Sequence, residues 1–244
     1  MNWLQRHWDA RAAANFMLGG AGSGLMVAAL FVADPSVPVI ISLILIASGL
    51  TAVWLEIGRK LRALHVFFNP FTSWMTRESF AALLLFPPGV GALYLPSMLP
   101  FAAAAAAAFL YCQARILRAS KGIPAWRAPE VVPLIVLTGL AEGAGIALFF
   151  ASNNVLLGVF VVATLGRGVA WWRYRAAVRT SALEPAGKAL VWIGTVAALA
   201  LVVVPPLAGL AALAAGAWLK FALVTRVSFN QGFSLPHLPV RGAR

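Results

Sequence analysis

The chain has 244 residues, 61% of them hydrophobic and 11% charged, with a formal net charge of +12. Soluble domains carry roughly 25% charged residues, so a water-soluble globule of this length is excluded and a bilayer must cover the surplus apolar surface. The positive charge does not indicate nucleic acid, because the cations stand at helix ends beside Trp and Phe, the ordinary pattern of headgroup anchoring.

A spanning helix needs about 20 apolar residues, and about eight such runs predict an all-α, polytopic transmembrane helix bundle over residues 1–227. The first run, 12–33, contains Gly19-Gly20-Ala21-Gly22-Ser23-Gly24, which suits close helix packing. No cleavable signal peptide is expected, since residues 2–12 are charged and the run continues as a full span. The second covers 37–57 and gives way to a long loop that reaches Glu78. The third, 79–95, carries Pro87-Pro88-Gly89, so a break or kink is predicted there. The fourth, 97–117, includes an alanine tract at 102–108 that serves either as helix filler or for tight packing.

After a second long loop, 118–130, the fifth and sixth runs (131–151 and 155–172) are joined by a short polar turn. Residues 173–188 are predicted as a third long loop. The last runs, 189–204 and 207–227, are separated by Pro205-Pro206, and the Pro- and Gly-containing tail 228–244 is expected to lie extended on a partner. No internal repeat suggests an inverted-repeat transporter.

Read alternately, these runs return all 19 Lys and Arg residues to one side, leaving turns such as Asp34-Pro35-Ser36, Tyr94-Leu95-Pro96 and Ser152-Asn153-Asn154 on the other. The positive-inside rule makes the basic side cytoplasmic, with both termini there, and makes the chain a multi-pass protein of the inner (cytoplasmic) membrane. A single cysteine, Cys112, excludes an internal disulfide and any four-cysteine iron–sulfur or zinc site in this chain. His7, His65 and His237 all lie outside the runs, so neither a haem held by two helices nor a metal site is expected.

Two constellations carry chemistry. The loop 56–78 combines His65 with Phe67, Phe68, Phe71, Trp74, Arg77 and Glu78, with Thr72, Ser73 or Thr76 available to cap the next helix. One reading is an interfacial segment anchored by its aromatics. The other is an aromatic-lined pocket for a lipophilic molecule with a polar ring, such as a quinone, with His65, Arg77 and Glu78 hydrogen-bonding it and exchanging protons and Trp74 packing on the ring. Glu142, in Gly139-Leu140-Ala141-Glu142-Gly143-Ala144-Gly145, lies about 18 Å into the fifth helix. A carboxyl at that depth is either paired with Arg167 of the next helix, locking the two, or conducts protons. Lys220 does not form a retinal site, because the position four residues earlier is Gly216, and it is expected to snorkel to the inner face.

Three segments carry a family resemblance: Thr72-Ser73-Trp74-Met75-Thr76-Arg77-Glu78, Ile123-Pro124-Ala125-Trp126 at the end of the loop from Tyr111, and Lys220-Phe221 through Phe229-Asn230-Gln231-Gly232-Phe233. In their order and spacing the chain resembles the membrane-anchor subunit of the dimethyl sulfoxide reductase type, among the quinone-reactive anchors of molybdopterin oxidoreductases. Its variants look closest to anchors of complexes acting on phenylacetyl-CoA or similar substrates, and its loops are shorter than those of many members. The resemblance implies a subunit that is not catalytic alone, a quinone (menaquinone or ubiquinone) as its cofactor, and no haem. It further implies an iron–sulfur subunit and a molybdopterin catalytic subunit as partners, here on the cytoplasmic side. Arg59, Arg62, Arg115, Lys121 and Arg127 are expected to dock the iron–sulfur subunit or lipid. The alternative expectation is a small-solute secondary transporter that uses Glu142 as its coupling carboxylate.

Overall fold

A computed structural model describes residues 8–57 and 60–229, without the side chains of residues 60–62. Within them the chain is all-helical. Six helices are long and apolar enough to cross a membrane: α1 (Ala10–Phe31), α2 (Ser36–Glu56), α4 (Pro96–Ala119), α6 (Asn154–Ala177), α7 (Ser181–Val203) and α8 (Pro205–Thr225). Two further rods complete the bundle, α3 (Trp74–Gly91) and the shorter apolar α5 (Val131–Ala147). This is a multi-pass membrane architecture. Large apolar side chains such as Leu84, Phe101, Val162 and Trp172 face outward, as lipid-contacting positions require.

The helices are delimited by local chemistry. Asp9 caps α1 by accepting from the backbone N–H groups of Arg11 and Ala12, and the Arg11 side chain beside it holds its carboxyl below the usual range. Ser73 caps α3 through the Thr76 N–H, and Asn153 caps α6 through the Leu156 N–H. Asn153 also donates to the Phe31 carbonyl at 2.7 Å, tying the α5–α6 turn to the end of α1. Pro205 and Pro206 start α8, where their missing N–H groups have no helical partner to lose.

Several boundaries differ from the hydropathy reading. The helix α3 runs on through Pro87 and Pro88 to Gly91 instead of breaking. It also begins at Trp74, a turn before the apolar run, because the Ser73 cap and not hydrophobicity sets its start. The predicted third long loop is largely helical: α6 continues to Ala177 and α7 begins at Ser181. The polar residues there form the solvated last and first turns of two helices, in which Glu184 pairs with Arg175 at 3.3 Å.

At the centre of the bundle stand α1 and α5. In α1, 67% of the apolar window is shielded inside the protein against 28% in α2, which fixes α1 as an inner helix. The two inner helices meet backbone to backbone: a side chain added at Gly143 would lie 2.0 Å from the Gly24 carbonyl carbon, and one added at Gly24 would lie 2.0 Å from the Gly139 oxygen. Small residues at such a crossing let helices approach where the bilayer offers no hydrophobic drive for association. Gly145 and Gly209 bring α5 and α8 together in the same way. Alternate faces of the alanine tract divide as a helix demands, with Ala102, Ala103 and Ala106 buried and Ala104, Ala107 and Ala108 exposed.

Both ends of the described chain converge at one end of the bundle. Trp8 lies edge-on to Trp126 at 4.6 Å, and the Trp126 indole N–H donates to the Leu223 carbonyl at the end of α8. Tyr174 donates to the Ala125 carbonyl at 2.9 Å, so the short helix Pro124–Arg127 is clamped between α6 and α8. The tail beyond residue 229 lies outside the described residues, as do His7, His237 and Arg59.

Candidate functional site

A cavity of about 420 Å³ opens at the end of the bundle where α1 begins, α2 ends and α3 begins. Its walls are mainly apolar: Trp8, Ala12 and Phe16 from α1 and the residues before it, Val53 and Ile57 at the end of α2, Met75 of α3 and Ile116 of α4. Its polar elements are Glu56, Asn15 and Glu78. Both size and composition are those of a small-molecule pocket, apolar with a few placed polar groups.

Glu78 is 6% exposed, and its Oε1 accepts from Asn15 Nδ2 at 3.2 Å. Asn15 opens a π-helical segment, Asn15–Gly19, that interrupts α1. The widened turn presents two backbone carbonyls to side chains of other helices: Asn15 O accepts from Gln113 Nε2 at 2.9 Å, and Met17 O from Lys220 Nζ at 3.4 Å. Such bulges recur at functional sites because they leave the regular ladder open to outside partners.

Beyond Gln113 the polar groups continue inward. Gly20 separates Gln113 from Lys220, and a side chain added there would lie 2.6 Å from Lys220 Nζ and 3.6 Å from Gln113 Oε1. Lys220 and Glu142 form an ion pair at 2.5 Å with both side chains fully buried. Gly216 leaves room for the carboxyl, since a side chain on it would meet Glu142 Oε1 at 2.4 Å. Deeper still, Arg167 donates to the carbonyls of Ala212, at 3.0 Å, and Gly194, the latter within a second π-helical segment, Trp192–Ala197. Each π segment therefore supplies a carbonyl to a buried cation.

The expected site residues distribute unevenly. Glu78 lines the cavity. Trp74 and Arg77 stand beside it on α3, where the guanidinium groups of Arg77 and Arg115 each lie 4.2 Å from the Trp74 ring centroid and Tyr111 meets that ring edge-on. Arg77 also donates to the carbonyls of Pro70 and Phe71, so it fastens the loop to the start of α3. His65 is exposed, in edge contact with Phe68, and does not line the cavity. Asn15, Gln113 and Phe16 carried no signal in the sequence beyond being polar or aromatic within an apolar run; an Asn or Gln inside a span is the cue that points to them.

Glu142 is held by Lys220, not by Arg167. Lys220 therefore does not snorkel, and two of the nineteen basic residues, Arg167 and Lys220, lie in the interior and not on the basic side. The reason is geometric: the pairing carboxylate projects from α5 into the same layer, and glycines at 20 and 216 give the long lysine chain space to reach inward. Of the expected docking residues, Lys121 and Arg127 are exposed, with Arg127 donating to the Lys121 carbonyl. Arg115 is half-buried on Trp74 and donates to the Tyr111 hydroxyl at 2.6 Å. The Arg62 side chain lies outside the described ones. Among the described residues no three His, Cys, Asp or Glu side chains gather as a metal site.

No protein-family model matches the chain, and no curated protein matches it.

Proposed function

We propose that the chain is the membrane-anchor subunit of a molybdopterin and iron–sulfur oxidoreductase complex, and that the cavity beside Glu78 binds a quinone at its cytoplasmic end. The observation that carries this reading is a buried carboxyl, hydrogen-bonded to Asn15, at the base of an apolar cavity where α1, α2 and α3 meet. The lining fits the group: the apolar walls suit a prenylated ring, while Glu78 and the unpartnered Asn15 Oδ1 can accept from the hydroxyls of its reduced form. In this reading eight helices span the inner membrane and both chain ends face the cytoplasm, following the positive-inside rule.

A quinone supplies two-electron chemistry linked to the uptake or release of two protons. The chain's own task is to seat the ring, exclude lipid and hold a proton acceptor in contact with it. Glu78 holds or delivers that proton, and Asn15 orients the carboxyl. Arg77 holds the loop before α3 through the Pro70 and Phe71 carbonyls, while Arg115 packs beside it on Trp74. Exposed Lys121 and Arg127 suit an acidic partner surface or lipid headgroups at the same end. Resemblance in the Thr72–Glu78, Ile123–Trp126 and Lys220–Phe233 segments supports the same class. Extraction in mild detergent, followed by mass spectrometry and metal analysis, tests it: an iron–sulfur subunit and a molybdenum subunit should co-purify. An active chain that purifies alone would refute the assignment.

A second reading, a small-solute secondary transporter, has one observation in its favour, the buried Glu142–Lys220 pair. It predicts solute uptake by the isolated chain in liposomes, abolished by Glu142→Gln.

A further inference from the structure

The buried polar groups do more than line one cavity. From Glu78 they pass to Asn15 and Gln113, then across the space above Gly20 to Lys220 and Glu142. The file starts near the basic end and finishes well inside: Glu78 is in the second turn of α3 from that end, while Glu142 is eleven residues into α5. Along the way Asn15 Oδ1, Gln113 Oε1 and Glu142 Oε1 are buried yet find no hydrogen-bond partner among the described residues, as do Ser23 Oγ and Arg167 Nε. Ser23 lies on the same face of α1 as Gly19 and Gly20, one turn deeper. Unpaired polar atoms in an apolar interior are unfavourable, and several in one file are explained together if water reaches them.

The polar groups continue past the pair to Arg167 and, one turn further along α6, to Thr164, whose buried Oγ1 also lacks a partner among the described residues; beyond Thr164 they stop. The far part of the core is closed by Leu25, Val32, Leu148, Leu156 and Phe160, all buried and apolar, with Ala208 filling the space between helices. The Ser42 hydroxyl, at similar depth, is already satisfied by the Gly22 carbonyl at 2.7 Å.

We infer that this file is a one-ended aqueous inlet, open through the cavity at the basic end and sealed beyond Glu142, Arg167 and Thr164 by the apolar far core. Water in the inlet lets a proton pass between Glu78 and the pair: it leaves the Glu78 carboxyl, travels along water, and binds the Glu142 carboxylate, leaving a neutral acid beside a Lys220 ammonium that is then held by the Met17 carbonyl and the inlet water. Return follows the same route, so the pair stores a proton without moving charge across the membrane. Its use as a reservoir for cavity chemistry rests on the quinone reading; the inlet itself does not, and is tested on the chain alone.

The test uses Ser23→Cys in a Cys112→Ala background, reconstituted in sealed liposomes of known orientation and probed with silver ion, which is close to water in size. Subsequent alkylation of the denatured protein reads which thiols were protected. Silver supplied at the basic end should protect Cys at position 23 roughly ten-fold or more faster than silver supplied at the other end, because an ion crosses an apolar seal poorly. Equal rates from both ends, faster protection from the far end, or no protection from either end would overturn the inlet. A second measurement uses the unmodified chain in liposomes under a potassium diffusion potential: proton flux should match protein-free vesicles, and flux above them would show that the far end is not sealed. Failure of quinone binding with both of these results intact would refute the cavity's function and leave the inlet standing.

Discussion

Lys220 Nζ and Glu142 Oε2 stand 2.5 Å apart with neither side chain reaching solvent, joining α8 to α5 in the interior of the bundle. The pair must therefore form as these helices associate, since either charge alone in that layer would be strongly unfavourable. Removing one partner should destabilise the protein by about 3–5 kcal/mol, while removing both should recover much of the loss. Thermal unfolding in detergent of Lys220→Met, Glu142→Gln and the double variant measures this. A double variant as unstable as the worse single variant would mean the pair does not act as a unit.

The α1–α5 crossing depends on the absence of side chains. Gly143→Ala would press a methyl to within 2.0 Å of α1 backbone, so the helices must part and stability should fall by about 1–3 kcal/mol. Gly158→Ala on α6 meets nothing within 4 Å, and should be neutral or stabilising by up to about 1 kcal/mol through helix propensity. The comparison separates a packing requirement from a general effect of glycine replacement, and both values come from the same unfolding measurement.

Arg77 fastens the loop before α3 with two hydrogen bonds to the carbonyls of Pro70 and Phe71 while lying on Trp74. Lysine keeps the charge but not the planar fork. Arg77→Lys should therefore raise protease cleavage within residues 60–73 several-fold, by the ordinary effect of loosening a loop's anchor, without unfolding the bundle. Unchanged cleavage would show that the fork does not hold the loop.

Within the proposed function, Glu78→Gln keeps the shape of the side chain and its bond to Asn15 while removing the exchangeable proton. Quinone-coupled turnover of the assembled complex should fall about 10²-fold or more, mainly in kcat, as expected for a lost general acid or base. An equal fall with Asn15→Ala, accompanied by a raised KM, would mark Asn15 as positioning the carboxyl. Full turnover with Glu78→Gln would remove Glu78 from the chemistry.

The apolar runs announce their helices because about 20 consecutive hydrophobic residues have few alternatives in a bilayer. Hydropathy misjudged the segment 173–188, where polar residues extend two helices into the interface; at Pro87-Pro88, of the expected break or kink, α3 shows no break. The depth of Glu142 marked it as special, but the identity of its partner was not legible. Arg167 is adjacent in the hairpin order, whereas Lys220 reaches Glu142 only because α8 packs against α5 through Gly145 and Gly209. Asn15 and Gln113 were hidden for a similar reason. Their meeting with Glu78 depends on three helices and a π turn, none of which leaves a sequence pattern.

Photolabelling tests the cavity assignment most directly. A photoreactive quinone analogue bound to the membrane complex should crosslink to peptides containing Trp8 to Phe16, Val53 to Ile57 or Met75 to Glu78, and unlabelled quinone should compete it away. Labelling confined to peptides outside these segments, or labelling that excess quinone leaves unchanged, would contradict the assignment.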